Sequence, residues 1–277
     1  MREKIDIFGK ECWEYFKGNE VNEIIERKDG FIHISPGPKL YFSDYKNWSK
    51  REKKAMKFVK GRVIDIGCGV GRHSVYLQSR GFEIMGADNS PLAIKICKLR
   101  GLRKARVMDM EDISKLRLNS FDTVILLGNN FGLLESFDRA KNLLKQLHKI
   151  TPSNGIIITE SFNHYDMRGG FHTKYRKMNI GIGRMPGQWR IRIRFDKFIG
   201  PWYDYLIVSK NEMNDILKDT GWKVQKFIDS DSSSYIAIIK KIYTFENKNQ
   251  KDILKNFAKG YKSMNKIKKA ENPNSKK

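Results

Sequence analysis

The chain has 277 residues and a mass of 32.4 kDa, enough for one large domain or two small ones with a sizeable buried core. It carries 54 Lys and Arg against 31 Asp and Glu, a formal charge of +23, and its 40% hydrophobic content excludes wholesale disorder. There is no apolar signal segment, no run of the ~18 apolar residues of a membrane span, and no cysteine spacing typical of a metal site. We therefore expect a basic, cytoplasmic protein that uses neither a membrane nor a metal.

Part of the positive charge is concentrated at the C-terminus. From Lys248 to Lys277 there are ten lysines against Asp252 and Glu271, a net charge of +8. Such a balance favours polyanions such as RNA, although it equally keeps a protein soluble. We interpret residues 242–277 as a basic C-terminal helix and tail.

Residues 1–59 predict a mostly helical layer that covers the cleft of the domain behind it. Val21, Ile24 and Ile25 have helical spacing, and Phe31–Ile34 predicts a short strand. Ser49 followed by Glu52 is typical of a capping box at the start of a helix.

From residue 62 onward, short strands alternate with helices. The predicted strands are 63–66, 82–87, 105–108, 121–127 and 156–160, and the predicted helices are 72–80, one opened by Ser90-Pro91, and 137–150. This alternation predicts an α/β domain, over residues 60–241, with a parallel sheet and helices on both faces.

An insertion at about 161–207 interrupts the alternation after the fifth predicted strand. Residues 161–187 show no clear period, whereas residues 188–195 alternate strictly, with Arg190, Arg192 and Arg194 on one face. These arginines suit either a phosphate-binding surface or an ordinary solvated face. Residues 203–208 predict an antiparallel partner, a helix follows at 212–220, and strands at 224–228 and 234–240 close the domain.

The most informative stretch is the loop that joins the first core strand to its helix. Gly67, Gly69 and Gly71 alternate along it, and Asp65 precedes them. Glycines allow positive φ and a close ligand approach, and a helix start favours an anionic group. A dinucleotide-binding loop needs its third glycine where this chain has Arg72, so the spacing does not indicate NAD.

Two further acidic residues follow successive strands. Asp88 ends the second core strand, where nucleoside-binding α/β folds place a ribose-binding acid; its alternative role is to cap the next helix. Asp109 follows the third strand, and Met110 beside it is suited to cover a base.

In these motifs the chain resembles the class I S-adenosylmethionine-dependent methyltransferases, over about residues 60–240. It is most similar to the broad methyltransferase-domain group with a Gly-Cys-Gly-x-Gly-Arg-His loop, here Gly67 to His73. The resemblance implies a Rossmann-like, seven-stranded sheet with a reversed final hairpin, and S-adenosylmethionine as the cofactor.

The resemblance also implies a role for each matching residue. The cofactor-binding residues it implies are Gly67, Gly69 and Gly71 under the methionine part, Asp65 near its amino group, Asp88 on the ribose, Asp109 and Met110 at the adenine, and Asn129 beside the sulfonium. The sulfonium methyl is already activated, so a general base is needed only for a protonated acceptor. The weak candidates for a base are His164, Tyr165, His172 and Glu160.

The expected function is in-line methyl transfer to a small molecule. Asn129-Asn130-Phe131-Gly132 lacks the Pro-Pro signature of DNA amino-methyltransferases, and no cysteine follows Cys97 to act as a cytosine C5 nucleophile. Two alternatives stay open: an RNA methyltransferase, suggested by the charge, and a nucleoside-cofactor-binding module without catalysis.

Overall fold

The N-terminal region combines helices with a β-hairpin. The computed structural model describes residues 5–242, so the predicted C-terminal helix and tail lie, apart from Ile242, outside the described residues. The first elements are α1 (Ile7–Phe16), β1 (Glu23–Arg27), β2 (Ile32–Ser35), α2 (Pro38–Tyr41) and α3 (Lys50–Met56). The predicted capping box is confirmed, because Glu52 N donates to Ser49 Oγ and Ser49 N donates to Glu52 Oε2.

The helix predicted around Val21, Ile24 and Ile25 is wrong. Ile24 and Ile25 lie in β1, where they pair with Ile34 and His33 of β2. Three apolar residues are too few to separate a helical from an extended pattern, and the pairing is decided by partners far along the chain. The layer predicted as mostly helical therefore contains a hairpin.

The core elements follow in the predicted alternation. They are β3 (Val63–Ile66), α4 (Arg72–Ser79), β4 (Ile84–Asp88), α5 (Pro91–Leu99), β5 (Ala105–Val107), β6 (Thr123–Leu126), α6 (Phe137–Ile150) and β7 (Ile156–Phe162). Local signals explain their positions: Ser90 and Ser136 are N-caps whose side chains accept from the helix amides of Ala93 and Arg139.

The remaining described elements complete the insertion and the closing hairpin. They are α7 (Gly170–Gly181), β8 (Gln188–Phe195), β9 (Phe198–Ile199), β10 (Tyr203–Leu206), α8 (Lys210–Leu217), β11 (Trp222–Asp229) and β12 (Ser234–Lys241). The insertion holds a helix, α7, that its glycine-rich and aperiodic sequence did not predict. Within residues 5–242, no helix has both the length and the apolar character needed to cross a bilayer.

The central sheet is the predicted seven-stranded, Rossmann-like one. Its strand order is β11-β12-β7-β6-β3-β4-β5. The five strands from β7 to β5 run parallel, whereas β12 is antiparallel to both β7 and β11. The reversed final hairpin is thus confirmed.

Helices cover both faces of this sheet. One apolar cluster joins Ile64 and Val124 to α6 and α8 through residues such as Leu144 and Met213. A second cluster joins Val63 and Ile125 to α3, α4 and α5. Because neighbouring strand residues point to opposite faces, Val63 and Ile64 divide between the two clusters. The carboxyl ends of the parallel strands are left to form a binding edge.

A second sheet combines the N-terminal hairpin with the insertion. Its order is β10-β8-β1-β2, with β9 also on β8, and every pairing is antiparallel. The predicted pairing of β8 with β10 is confirmed. Its outer face carries the three arginines: Arg192 makes two 2.9 Å hydrogen bonds to Glu26, and Arg190 lies 3.3 Å from Asp204. We call this second sheet the cap sheet.

Candidate functional site

The glycine loop runs from β3 to α4 with a backbone that glycine favours. Gly67, Gly69 and Gly71 have φ angles of 67°, 53° and 81°. Their amides donate within the protein, to Ala87 O (2.8 Å), Asp88 Oδ2 (2.8 Å) and Cys68 O (2.9 Å). The loop is thus held in shape by hydrogen bonds to the end of β4 and within itself, in a backbone conformation that glycine adopts readily.

Asp88 ties the end of β4 to this loop. One carboxylate oxygen accepts from Gly69 N, and the other accepts from Ser90 N at 2.9 Å. Burial raises the pKa of Asp88 from its ordinary 3.8 to about 6, against the lowering effect of these two amides. Ser90, not Asp88, is the N-cap of α5. Each carboxylate oxygen keeps a further lone pair with which to accept from a ligand hydroxyl.

Asp65 lies under the loop, in the buried strand β3. Its carboxylate accepts a 2.6 Å hydrogen bond from Ser74 Oγ on α4. Burial raises its pKa, although the charge of His73 and the Ser74 hydroxyl act in the opposite direction. Asp65 therefore joins β3 to the first turn of α4.

Helix α1 covers the glycine loop from the solvent side. A Cβ atom placed on Gly69 would lie 3.3 Å from the Phe8 ring. The helix is fixed by Asp6, whose carboxylate accepts from Ser90 Oγ at 2.8 Å and Leu92 N at 3.1 Å, at the start of α5. The N-terminal layer is therefore attached directly to the two elements that form the candidate cofactor site.

The loop after β6 forms the opposite wall. Asn130 Nδ2 donates to Gly67 O at 2.7 Å, which links this loop to the glycine loop. Asn129 has a φ of 62°, and its carbonyl oxygen accepts a 2.7 Å hydrogen bond from Tyr205 Oη on the cap sheet. Asn129 Oδ1 is buried and has no donor among the described residues. The structure thus brings Asn129, Gly67 and the cap sheet together.

Asp109 and Met110 lie beyond β5, at the next strand end. Asp109 is exposed, and Met110 is half-buried beside the α6 side of the core. Asp109 precedes a short 3₁₀ helix over residues 110–115 without capping it by its side chain. The Asp109 carboxylate is therefore accessible at the rim of the binding edge.

Arg72 and His73 hold the N-terminal layer on α4. Arg72 donates to Glu52 Oε1 at 2.6 Å and to Ser43 Oγ at 2.9 Å, and His73 Nε2 lies 3.5 Å from Glu52 Oε1. Burial alone would raise the pKa of Glu52, but its hydrogen bond to His73 and the charge of Arg72 together lower it. These two loop residues thus have structural partners.

The three candidate bases of the insertion, His164, Tyr165 and His172, contact side chains of other elements of the protein. The ring of His164 is buried, and its Nε2 lies 3.0 Å from Glu212 Oε2; Tyr165 Oη donates to the same carboxylate at 3.2 Å. His172 Nδ1 lies 3.2 Å from a guanidinium nitrogen of the buried Arg27. Burial and then the Arg27 charge lower the pKa of His172. The structure does not join these three residues to the glycine loop.

Glu160 lies nearer to the binding edge, in β7. Its carboxylate accepts from Arg51 at 2.5 Å and from Gly128 N at 2.9 Å. It therefore positions the loop after β6 and links that loop to α3. Of the four candidate bases, this is the one in contact with the segment that holds Asn129.

A buried acidic pair was missed by the sequence analysis. Glu11 on α1 is 0% exposed, and Glu23 at the start of β1 is 5% exposed. The sequence signal was weak: Glu11 follows Phe8 by three residues, so it lies on the same face of α1 as an apolar side chain. Its burial depends on β1 and the cap sheet, whose arrangement the local pattern does not show.

Comparison with known proteins agrees with this fold. Residues 64–159 match the family model described as "Methyltransferase domain". A solved S-adenosylmethionine-dependent methyltransferase from Bacteroides fragilis, in complex with S-adenosyl-L-homocysteine, superposes with a TM-score of 0.73 over 88% of this chain and 98% of that one, at 20% identity. That likeness shows the fold.

Curated relatives match over part of the chain. A glycine/sarcosine N-methyltransferase of Parasynechococcus marenigrum (strain WH8102) is 32% identical over 134 residues, which is 44% of this chain and 45% of the relative. A tRNA (uracil(54)-C(5))-methyltransferase of Pyrococcus horikoshii is 29% identical over 143 residues, which is 50% of this chain and 33% of the relative. The chain thus spans less than half the length of these two relatives.

The sheet order, the glycine loop and the family match define a class of protein. Residues 64–159 match a methyltransferase domain, and the chain has the fold of the S-adenosylmethionine-dependent methyltransferases. Its methyltransferase domain begins in β3 and extends into β7.

Proposed function

We propose that this protein transfers a methyl group from S-adenosylmethionine to a small-molecule acceptor. The observation that supports this most strongly is the contact between Gly69 N and Asp88 Oδ2, at 2.8 Å. It joins the loop that suits the methionine part of the cofactor to the carboxylate that suits its ribose. The family match over residues 64–159 supports the same assignment.

The residues at the binding edge fit this cofactor. Three glycines in the left-handed region leave three positions of the loop without a side chain, and a Cβ atom on Gly128 would meet nothing within 4 Å. Asn129 Oδ1 is a buried acceptor that still lacks a donor. We propose that Asp65, Gly67, Gly69, Gly71, Asp88, Asp109, Met110 and Asn129 hold the cofactor.

The chemistry requires little of the side chains. When bound, S-adenosylmethionine supplies an activated methyl group. The chain then has to hold the acceptor in line and exclude water, a positioning effect worth up to ~7–11 kcal/mol. Glu160 contacts the loop that holds Asn129, and we propose that it positions this loop beside the methyl group.

A small acceptor agrees better with the structure than RNA. The three arginines of β8 lie on the outer face of the cap sheet and contact Glu26 and Asp204, rather than forming an open phosphate-binding surface. The cleft is covered by α1 and the cap sheet, and several of its buried side chains are acidic. A phosphate backbone would be repelled there. The cytoplasmic location expected from the sequence is part of this proposal.

The test is methyl uptake from labelled S-adenosylmethionine in a cell extract. The proposal predicts label in the metabolite fraction, unchanged when the extract is first treated with nuclease. Label in nuclease-sensitive material would overturn the small-acceptor assignment in favour of RNA. Binding of the cofactor without turnover in any fraction would favour the non-catalytic alternative. Asp215→Ala removes an exposed carboxylate on α8, outside the proposed site. This control variant should give the same methyl uptake as the wild type.

A further inference from the structure

Glu11 is a buried carboxyl group without a hydrogen-bond donor. Its side chain is 0% exposed, and neither oxygen accepts a hydrogen bond from any residue in the described part of the chain. Burial, the nearby charge of Glu23 and a hydrogen bond to the Glu23 side chain raise the pKa of Glu11 to about 10, so near neutral pH Glu11 is protonated and donates to Glu23. Leaving a buried polar group unsatisfied is costly, so such a group calls for an explanation.

Glu23, its neighbour, differs in having donors. Its oxygens accept from Tyr41 Oη at 2.9 Å and from Ser35 Oγ at 3.0 Å. Across residues 5–242, no Lys, Arg or His lies within ion-pair distance of Glu11 or Glu23. Instead of a basic partner, the pair holds a proton on Glu11, in a protein whose formal charge is +23.

The acidic pair lies between the two walls of the candidate site. Glu11 is one helical turn from Phe8, which covers Gly69, so both side chains are on one face of α1. On the other side, Tyr203 shares a face of β10 with Tyr205, which donates to Asn129 O. Burial and the charges of Glu23 and Glu11 raise the pKa of the Tyr203 hydroxyl, which puts Tyr203 beside the pair.

We infer that Glu11 and Glu23 form a binding site for a cationic nitrogen, so that the methyl acceptor is an amine. A buried carboxyl pair with tyrosines around it and no basic residue beside it is complementary to a protonated amine. The cation would take the place of the proton that Glu11 otherwise holds, and would supply the donors that its oxygens lack. This inference rests on the proposed function for the identity of the acceptor, whereas the cation site itself depends on the described contacts alone.

Calorimetry with small amines tests the inference on the full-length protein. The probes are ethylamine, dimethylamine and benzylamine, with ethanol and benzyl alcohol as neutral counterparts, each titrated in the presence of S-adenosylhomocysteine. The variant is Glu11→Gln, because its amide can still donate to Glu23, as the protonated carboxyl does, but cannot ionise to receive a cation. Glu14→Gln, on the same helix but paired with Lys17 near the surface, is the matched control.

The expected result is that the wild type binds at least one amine and neither alcohol. Glu11→Gln should weaken amine binding roughly tenfold or more, whereas Glu14→Gln should leave it unchanged. Both variants should bind S-adenosylhomocysteine within about twofold of the wild type, since that ligand lacks the sulfonium charge. A Glu23→Gln variant should likewise lose amine affinity.

Three results would overturn the inference. The first is that no amine binds the wild type, and the second is that amine affinity is unchanged in Glu11→Gln. The third is that Glu11→Gln weakens S-adenosylmethionine but not S-adenosylhomocysteine, which would assign the pair to the cofactor's own cation. Failure of the proposed function is a separate outcome: the wild type would then bind neither cofactor form, whatever its affinity for amines.

Discussion

Asp88 shows how one side chain joins the local backbone to the proposed site. Its two oxygens accept from the amides of Gly69 and Ser90, so it closes the glycine loop and shapes the entry to α5. The same oxygens have lone pairs left for ribose hydroxyls. A substitution of Asp88 therefore tests whether this residue binds the ligand or only stabilises the fold.

Asp88→Ala is expected to weaken S-adenosylhomocysteine binding about ten- to a hundredfold, because a charged hydrogen bond is worth ~1.5–3 kcal/mol. The free energy of unfolding should also fall by ~1–2 kcal/mol, since two buried amides lose their acceptor. Calorimetry and denaturant unfolding measure the two effects. Lower stability with unchanged affinity would show that Asp88 only holds the loop.

The raised pKa of Asp88 predicts a pH dependence. The pKa of Asp88 is about 6 in the folded protein and 3.8 in the ordinary case, so protonation of Asp88 stabilises the fold. That contribution is fully present below pH 3.8 and is lost as the pH rises through 6. Ligand binding has the opposite sign, because the ionised form accepts the hydroxyls. Affinity for S-adenosylhomocysteine should therefore fall about tenfold per pH unit below 6. Asp88→Asn should show a flat profile, and a wild-type profile without a slope there would contradict the assignment.

Helix α3 depends on one residue at its start. Glu52 completes the capping box with Ser49 and also pairs with Arg72 in α4, and both side chains of that pair are mostly buried. Trp48 packs over the Arg72 guanidinium, so the contact joins three segments. The N-terminal layer is thus attached to the core by a charged contact as well as by apolar packing.

Glu52→Ala is therefore expected to lower the free energy of unfolding by ~3 kcal/mol, through the lost cap and the uncompensated guanidinium. Glu83→Ala is the control, because its pair with Lys104 is about 60% exposed on both sides. The control should change stability by less than ~0.5 kcal/mol. Urea unfolding of both variants measures the difference, and equal effects would contradict the account.

At the scale of elements, local signals explain what the sequence could predict. Ser90, Ser136 and the capping box at Ser49 mark helix starts within a few residues, so the strand–helix alternation was predictable. The hairpin β1–β2 was mispredicted in part because β1 pairs with β8, more than 160 residues away. A five-residue strand is too short for its alternation of apolar and polar residues to reveal so distant a partner.

The candidate site likewise contains residues that local sequence signals predict and residues that only distant contacts bring together. The residues of the glycine loop, Asp88 and Asn129 follow strands, and parallel strands bring their carboxyl ends to one edge. Glu11 and Glu23 meet only because α1 and the cap sheet fold over that edge. Their pairing was not predictable from spacing, and the same holds for the partners that engage His164 and His172.

At the scale of the whole molecule, the positions of the charged residues indicate the kind of ligand better than the net charge does. The net charge is +23, yet the cleft contains buried Asp and Glu side chains, while arginines on the outer face of the cap sheet are paired. The buried carboxyl groups of the cleft suit a cationic ligand better than a phosphate backbone. RNA binding would instead require unpaired basic residues at the cleft.

A chain ending at Asn247 tests whether the C-terminal lysines contribute to the proposed function. This truncation removes a net charge of +8, and every residue of the proposed site lies upstream of it. Affinity for S-adenosylhomocysteine should stay within about twofold of the full chain. Intact cofactor binding with a large loss of salt-sensitive RNA binding would favour an RNA methyltransferase instead.

The central claim is that the binding edge takes S-adenosylmethionine and its product, and calorimetry with three ligands tests it most directly. The full-length protein should bind S-adenosylmethionine and S-adenosylhomocysteine and should not bind NAD, because Arg72 stands where a dinucleotide-binding loop needs glycine. Binding of NAD, with no response to either methionine nucleoside, would contradict the account.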